Sequence, residues 1–372
     1  MNRMLIFNQN ISGMNPFLFE QLGMEWTLFP EDVPGPWLLS LARRLLKVPH
    51  PTTWDSRLHE LVRIYGTSAR CFTLRSNYAG RIRRKFAGDF DLALQIGGTF
   101  DALSAIEDRP TAVFASFNTL LAYREWRPWA PFPDEKAFRK RYELERQLYL
   151  RADCILCTND YVRRSFINDY GVPEEKLAYI GYGANLDPLP AEEKSYNQPL
   201  ALFVGYDFAR KGGPDMVEAF RKVHNVRPEA RLRIIGPADL DPHYLGDGIE
   251  YLGMVTERAE IRRHLTEASF FVMPSICEPF GLAFLEAMAF GNACIGTRNN
   301  AMPEIIEDAT TGYLVTAGDV DALAERMMKM FDDRTLRQRM GMTAAQRVGD
   351  RFSWELCGKR ARKALGRLTT KA

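Results

Sequence analysis

Glu278 and Glu286 stand eight positions apart in the stretch SICEPFGLAFLEAMAFG, residues 275–291. The first precedes an apolar run and the second lies inside it. Pro279 breaks the chain between them, and Gly281 allows close backbone approach. Leu282 to Phe290 is apolar on every side except at Glu286, the pattern of a buried helix. A carboxylate buried alone is costly, so Glu286 is expected to have a partner. A helix opening after Gly281 directs unpaired amides out of its N-terminus, an arrangement that binds phosphate. A diphosphate flanked by two hydroxyl-rich groups would suit the stretch, with phosphate on the amides and one polyol on each acid. Each hydrogen bond to a charged group contributes about 1.5–3 kcal/mol. The alternative is that Glu286 pairs with a structural arginine and Glu278 is a solvated loop residue.

A second pattern agrees with the first. FVGYDFARKGGPDMVEAF, residues 203–220, reads as strand, glycine turn, Arg210-Lys211-Gly212-Gly213, then helix. Two adjacent cations at the carboxyl end of a strand can neutralise a diphosphate leaving group. Alone, the same residues would make a solvated basic turn.

Elements that place such residues together are legible around them. LALFVG (200–205), ARLRIIG (230–236), FFVMPS (270–275), ACIGT (293–297) and GYLV (312–315) are strand-sized apolar runs. They alternate with helical stretches over 214–226, 257–268 and the Glu286 segment, then a helix opened by Asp319. This alternation predicts a parallel sheet covered on both faces, with ligands at the carboxyl ends of its strands. The N-terminal half repeats it through MLIFN (4–8), FDLALQIGG (90–98), TAVFASF (111–117) and ADCILCTN (152–159), with helices over 136–150 and 159–169. DPLPAEEKSYNQP has three prolines and no hydrophobic period. The expected organisation is therefore an N-terminal domain 1–186, a linker 187–199, a C-terminal domain 200–351 and a final helix within 352–372 that starts at Ser353 and packs back on the N-terminal domain. Two doubly wound α/β domains facing across a cleft favour a ligand-binding or catalytic protein.

The 372 residues are 46% hydrophobic and 26% charged, with a net charge of +2, so nothing in bulk draws the chain to nucleic acid. No apolar run reaches the roughly 18 residues of a membrane-spanning helix. Met4-Leu5-Ile6-Phe7 is too short for the apolar region of a signal peptide. Six cysteines, mostly in apolar contexts such as Ala293-Cys294-Ile295, suit buried thiols in a reducing, cytoplasmic compartment. Cys154 and Cys157 have C-x-x-C spacing without a second pair or a nearby histidine, which does not make a zinc site. The D-x-D triplets at 89–91, 239–241 and 319–321 read as a strand edge, a turn and a helix start, so no metal is expected.

With these motifs in order, the chain resembles family-4 retaining glycosyltransferases, which have the GT-B fold of two Rossmann-like domains. The resemblance rests on SICEPFGLAFLEAMAFG, with its Glu, seven residues, Glu signature, and on VGYDFARKGGPDMVEAF, ARLRIIG, YLGMV and MPEIIEDATTGYLV. It spans residues 200–331. In the N-terminal half it is confined to 151–172 and KLAYIGYGANLD (176–187). It implies that Glu278 contacts the donor sugar's hydroxyls near the reacting carbon and that Glu286 holds the nucleotide ribose. It further implies that Phe280, Gly281 and Leu282 bind phosphate through their amides, that Arg210 and Lys211 clamp the diphosphate beyond Gly205, and that Met254 and Val255 lie near the base. Tyr206 stands where the family often has arginine, a charge Arg210 is expected to supply. The first N-domain loop, QNISGMN (9–15), has one glycine, and TAVFASFNT (111–119) has no histidine. Gly13 and Asn118 are the N-domain candidates.

The reaction so implied transfers a sugar, with retention, from a UDP- or GDP-linked donor to a saccharide or lipid-linked acceptor, without a cofactor. Cell-surface polysaccharide or glycoconjugate synthesis is the expected setting. Rival readings are a sugar-nucleotide epimerase or phosphorylase on the same architecture, or a silent subunit that binds nucleotide sugars. PWLLSLARRLLKV (36–48) has an apolar face of Leu38, Leu41, Ala42, Leu45 and Val48 and a basic face of Arg43, Arg44 and Lys47, and RIRRKF (81–86) adds cations. These could meet anionic lipid at the inner face of a membrane. Alternatively, they form a domain helix with a solvated basic face.

Overall fold

In the computed structural model, the structure describes residues 2–8, 15–33, 57–103, 109–185 and 194–370. The expected amphipathic segment 36–48 and Gly13 lie outside them, as does 187–193 of the expected linker. The chain divides into two compact units, one of residues 1–181 with 354–372 and one of residues 182–353.

The first unit carries a six-stranded parallel sheet in the order β2-β1-β3-β4-β5-β6. Its strands are β1 (Asn2–Asn8), β2 (Trp26–Asp32), β3 (Leu92–Ile96), β4 (Thr111–Ala115), β5 (Cys154–Cys157) and β6 (Leu177–Tyr179). β3, β4 and β5 are buried at every position, which explains their continuous apolar runs. The helices are α1 (Asn15–Gly23), α2 (Arg57–Thr67), α3 (Ala69–Lys85), α4 (Thr119–Glu125), α5 (Glu135–Arg151) and α6 (Asp160–Asn168), joined by a C-terminal helix from the far end of the chain, introduced below. α5 starts on the Asp134 cap and α6 on the Asn159 cap, each side chain accepting a backbone N–H of the first turn. Of the RIRRKF cations, Arg81, Arg84 and Lys85 are exposed. Arg83 is instead fully buried, and its guanidinium donates to the carbonyls of Ala102 and Arg109.

The second unit is a parallel sheet in the order β12-β11-β10-β7-β8-β9. It is built from β7 (Leu200–Val204), β8 (Arg231–Ile235), β9 (Ile249–Tyr251), β10 (Phe270–Val272), β11 (Ala293–Thr297) and β12 (Gly312–Val315). The chain runs from β7 out through β8 to β9, then crosses to β10 on the other side of β7, where Phe270 is in register with Ala201. That reversal opens a crevice at the carboxyl ends of β7 and β10, where open α/β sheets bind ligands. Its helices are α7 (Gly213–Val226), α8 (Arg258–Glu267), α9 (Leu282–Ala289), α10 (Met302–Ile305), α11 (Val320–Asp332) and α12 (Arg334–Arg351). α7 packs on α11, and α9 on α12 and β11. Lys194, ahead of β7, donates to Leu265 O, Ala268 O and Asn292 Oδ1, which fastens the end of the expected linker stretch to this unit.

After Ser353 the chain returns to the first unit as α13 (Trp354–Thr369), which packs on α1, β5 and β6. Trp354 stacks on Phe17 at 5.6 Å, and Ala361 and Leu365 are fully buried. All six cysteines are buried, and none is joined in a disulfide among the described residues. Among the described residues no helix is long and apolar enough to cross a membrane.

Burial of Leu365 makes α13 part of the first unit's core. Leu365→Ala is expected to cost about 2–5 kcal/mol in chemical denaturation. A loss under about 1 kcal/mol would show that the helix only rests on the surface.

Candidate active site

The crevice between β7 and β10 gathers the two sequence patterns. β7 ends at Val204, and Gly205 follows with its amide on the Ile235 carbonyl at 2.8 Å. The next turn closes on itself: Asp207 Oδ1 accepts from the Arg210 amide at 3.2 Å, and Asp207 Oδ2 from Arg210 Nε at 3.2 Å. The turn hands over to α7 through Gly212, whose φ of 71° is left-handed and where a Cβ would lie 2.0 Å from the Pro274 carbonyl oxygen. That close approach joins the loop after β7 to the loop after β10. Ile276 N–H to Arg210 O at 2.9 Å and Arg210 Nη1 to Cys277 O at 2.6 Å complete the joint.

Glu278 sits on this joint with 4% of its surface exposed. One carboxylate oxygen, Oε2, receives Lys211 Nζ in a direct ion pair and has Arg210 Nη1 at 3.7 Å. The other, Oε1, accepts the Gly281 amide at 3.0 Å. The Glu278 amide donates to Asn300 Oδ1 at 2.8 Å. Burial alone would raise this carboxyl's pKa. Lys211, then Arg210 and the Gly281 amide, outweigh it and hold the group below the usual carboxylate range. Burial also lowers the Lys211 ammonium, with Glu278 opposing that shift. Glu278 is therefore not the solvated loop residue of the alternative reading.

α9 begins after Gly281, another left-handed residue with φ 70°. Its first two amides, Leu282 and Ala283, have no acceptor among the described residues, whereas the Gly281 amide is taken by Glu278. Two expectations change here. α9 is not buried all round: Leu282, Ala283 and Glu286 are half-buried on one face, while Phe284, Leu285, Ala287, Met288 and Ala289 are buried. Nor does Glu286 have the expected partner, since no hydrogen bond or ion pair reaches its side chain among the described residues. Burial raises its pKa to about 7, against the opposing charge of Arg258.

The remaining predicted residues are spread over the rim of this sheet end. Met254 is exposed and Val255 half-buried in the loop after β9, whose Gly253 carbonyl accepts the Gly236 amide at 2.9 Å. Phe280 lies edge-on to Tyr182 at 5.1 Å. Tyr206 is 59% exposed. Asn118 belongs to the first unit, where it caps α4: Oδ1 accepts the Leu121 amide at 2.9 Å and Nδ2 donates to Ser165 Oγ at 3.0 Å.

Comparison with known proteins places these features. Residues 189–347 match the family model described as "Glycosyl transferases group 1". This segment belongs to glycosyl transferases group 1. Over 38% of the chain and 38% of the relative, the sequence is 32% identical to N-acetyl-alpha-D-glucosaminyl L-malate synthase of Bacillus anthracis. Over 58% of the chain and 62% of the relative, it is 30% identical to a GDP-mannose-dependent monoacylated alpha-(1-6)-phosphatidylinositol monomannoside mannosyltransferase of Corynebacterium glutamicum. The aligned stretches span only 38–62% of these first curated relatives. The fold extends further. Anabaena Alr3699/HepE, solved in complex with UDP and glucose, superposes with a TM-score of 0.69 at 16% identity over 99% of this chain and 100% of that one. The architecture is GT-B, two Rossmann-like units each built on a six-stranded parallel sheet.

Within the group 1 domain, sequence reasoning had not singled out Asp207, Thr297, Asn299 or Asn300. Asp207 carried a signal, an acid three positions before Arg210 in a turn. One aspartate of each D-x-D triplet serves a local role: Asp91 accepts the Arg3 amide, Asp241 the His243 amide and Asp319 the Ala322 amide. Among the described residues no group of three or more His, Cys, Asp or Glu is placed to hold a metal ion.

The raised Glu286 pKa fixes a sign. The unfolded group ionises near 4.5 and the folded one near 7, so its contribution to stability is full below 4.5 and lost as pH rises through 7. Glu286→Gln is expected to match the wild type in thermal unfolding near pH 4.5 and to exceed it at pH 8. Equal melting temperatures at both pH values would mean that the carboxylate is already compensated.

Proposed function

We propose that this protein is a retaining glycosyltransferase that moves a sugar from a UDP- or GDP-linked donor to a hydroxyl of a saccharide or lipid-linked acceptor. The observation that carries this reading is the Glu278 cluster, an acid buried against Lys211 and Arg210 at the switch point of the group 1 domain. The names of the relatives, which include a GDP-mannose-dependent mannosyltransferase, and the UDP bound by the HepE neighbour support a nucleotide-sugar donor.

In this reading the donor's diphosphate takes over Lys211 and lies against Arg210 and the open amides of Leu282 and Ala283. Fixed cations and amides aimed at the leaving group stabilise the charge that develops there and lower the barrier. Asp207 keeps the Arg210 guanidinium aimed at the crevice. Glu278, released from Lys211, accepts from the sugar hydroxyls close to the reacting carbon. Glu286 holds the ribose hydroxyls on the half-open face of α9, and Met254 and Val255 flank the base. The bond from the anomeric carbon to the phosphate oxygen breaks with its electron pair on the diphosphate. The acceptor oxygen bonds to that carbon from the same face, and its proton passes to the leaving phosphate oxygen. The scheme uses no metal and no cofactor, and it leaves Glu278 outside the role of nucleophile.

Cell-surface polysaccharide or glycoconjugate synthesis fits a lipid-linked acceptor, and the relative that acts on a phosphatidylinositol monomannoside supports it. Six buried cysteines outside any disulfide suit a cytoplasmic setting. The exposed Arg81, Arg84 and Lys85 of α3 offer cations for peripheral contact with anionic lipid.

Glu278→Gln tests the reading. Sugar transfer from the preferred nucleotide sugar is expected to fall about 100-fold or more. Affinity for the nucleoside diphosphate, measured by calorimetry, stays close to wild type because Lys211 remains available to phosphate. Comparable turnover in this variant would remove Glu278 from the chemistry.

A further inference from the structure

β10 ends at Val272, and its backbone ladder to β11 closes with the Met273 amide on the Ile295 carbonyl at 2.9 Å. From Pro274 to Glu278 the chain is buried except at Ile276, and among the described residues it makes no backbone pairing with the segment 297–300. Three side chains of that segment take over. Thr297 Oγ1 donates to Ser275 O at 2.7 Å, Asn299 Nδ2 donates to Ile276 O at 2.8 Å, and Asn300 Oδ1 accepts from the Glu278 amide at 2.8 Å. Each bond satisfies a backbone group of residues 275–278, so the pairing of the sheet continues on side chains as far as Glu278 itself.

The last of these contacts is the most constrained. Asn300 has a φ of 50°, the left-handed region that few residues other than glycine tolerate and that asparagine enters more readily than most. Glu278 N–H is a donor on a residue with 4% exposure, and such a donor loses its share of stability if its acceptor is removed. The acceptor therefore fixes the backbone from which the Glu278 carboxylate reaches Lys211 and Gly281.

We propose that Asn300 is a positioning residue for Glu278: its left-handed backbone and side-chain oxygen together hold the Glu278 amide, and through it the carboxylate, in place for sugar transfer. The proposal rests on the glycosyltransferase reading for its kinetic consequence, while the bracing of the 275–281 loop can be observed independently of any activity.

Two variants of the full chain separate the contributions. Asn300→Gly keeps the left-handed backbone at low cost and removes the acceptor. Asn300→Asp keeps an acceptor at the same reach. Turnover is measured with UDP-glucose and GDP-mannose, affinity with UDP and GDP by calorimetry, and loop protection by peptide-level amide hydrogen exchange. Asn300→Gly is expected to lower kcat about tenfold while donor KM and nucleoside diphosphate affinity stay within about threefold. Exchange across 275–281 should quicken, and Asn300→Asp should restore both kcat and protection. Wild-type kcat in Asn300→Gly overturns the proposal, and so does an equal loss in both variants or a parallel collapse of nucleotide affinity. If the wild-type chain uses neither donor, hydrogen exchange alone decides the bracing: faster exchange confined to Asn300→Gly upholds it, and unchanged exchange overturns it. That lack of turnover would count against the enzymatic reading with these donors, while the exchange result would still decide the role of Asn300.

Discussion

A carboxylate with almost no exposed surface can stay ionised only if charges and donors supplied by the protein replace its water. At Glu278 the replacement comes from Lys211, Arg210 and the Gly281 amide, and the net effect holds the carboxyl below its usual range. Lys211 and Glu278 are separated by 67 positions, so the pair exists only when the loops after β7 and β10 stand side by side. Gly212 against the Pro274 carbonyl brings them there. Buried pairs of this kind rarely improve on a well-packed apolar substitute, yet removing one partner costs about 3–5 kcal/mol because the other charge is stranded. Retaining such a pair at the switch point of the sheet is understandable if its members have a second partner to serve. A diphosphate for the cations and a polyol for the acid are partners of that kind.

The two acids of one motif are set in opposite electrostatic conditions. Glu278 is surrounded by positive charge and held down, whereas Glu286, eight positions on, has only the opposing charge of Arg258 against its burial and is pushed up to about 7. The difference follows from the helix between them. Glu278 precedes its N-terminus, where the backbone offers donors. Glu286 lies past the first turn, where every backbone N–H is committed to the helix. An acid at the first place is ready to accept from hydroxyls at neutral pH. An acid at the second gains its charge near neutrality, or when a bound polyol supplies the missing donors.

Strands of both units could be read from sequence wherever burial on two faces produced unbroken apolar runs, as in Leu92–Ile96 and Ala293–Thr297. Helix starts were legible where a capping residue stood out, as at Asp319. β2 was not, because an edge strand reading Trp-Thr-Leu-Phe-Pro-Glu-Asp is largely uncovered and carries a proline that a central strand excludes. In the site, residue type and spacing pointed to Glu278, Glu286, Arg210 and Lys211. Who pairs with whom was not legible, since ion pairs depend on which loops the fold brings together. The expectation of a partner for Glu286 failed: no side chain pairs with it among the described residues, and burial raises its pKa instead. Asn300 left no signal, because nothing in Arg-Asn-Asn-Ala announces a left-handed residue whose side chain bonds a backbone 22 positions away.

The first unit shows what a buried acid looks like when its bonding capacity is committed to structure. Glu145 is 2% exposed and accepts from the Thr119 amide at 3.0 Å, from Tyr170 Oη at 2.6 Å and from Tyr149 Oη at 3.1 Å. It lies against Gly98, just past the end of β3, where a Cβ would fall 2.5 Å from Glu145 Oε1. Arg141 closes the cluster by donating to the Gly98 carbonyl at 2.7 Å. The hydrogen-bond donors to Glu145 are one amide and two phenols, and the buried Arg141 guanidinium 4.0 Å away is itself engaged by the Gly98 carbonyl. The principal donor to Glu278 is a lysine ammonium that phosphate can claim. Under the proposed function, similar burial and a similar place near the carboxyl end of a strand accompany a structural acid in one unit and an exchangeable one in the other. In the proposed reading, the ability of Lys211 to pass from Glu278 to a phosphate matters more for chemistry than the presence of an acid.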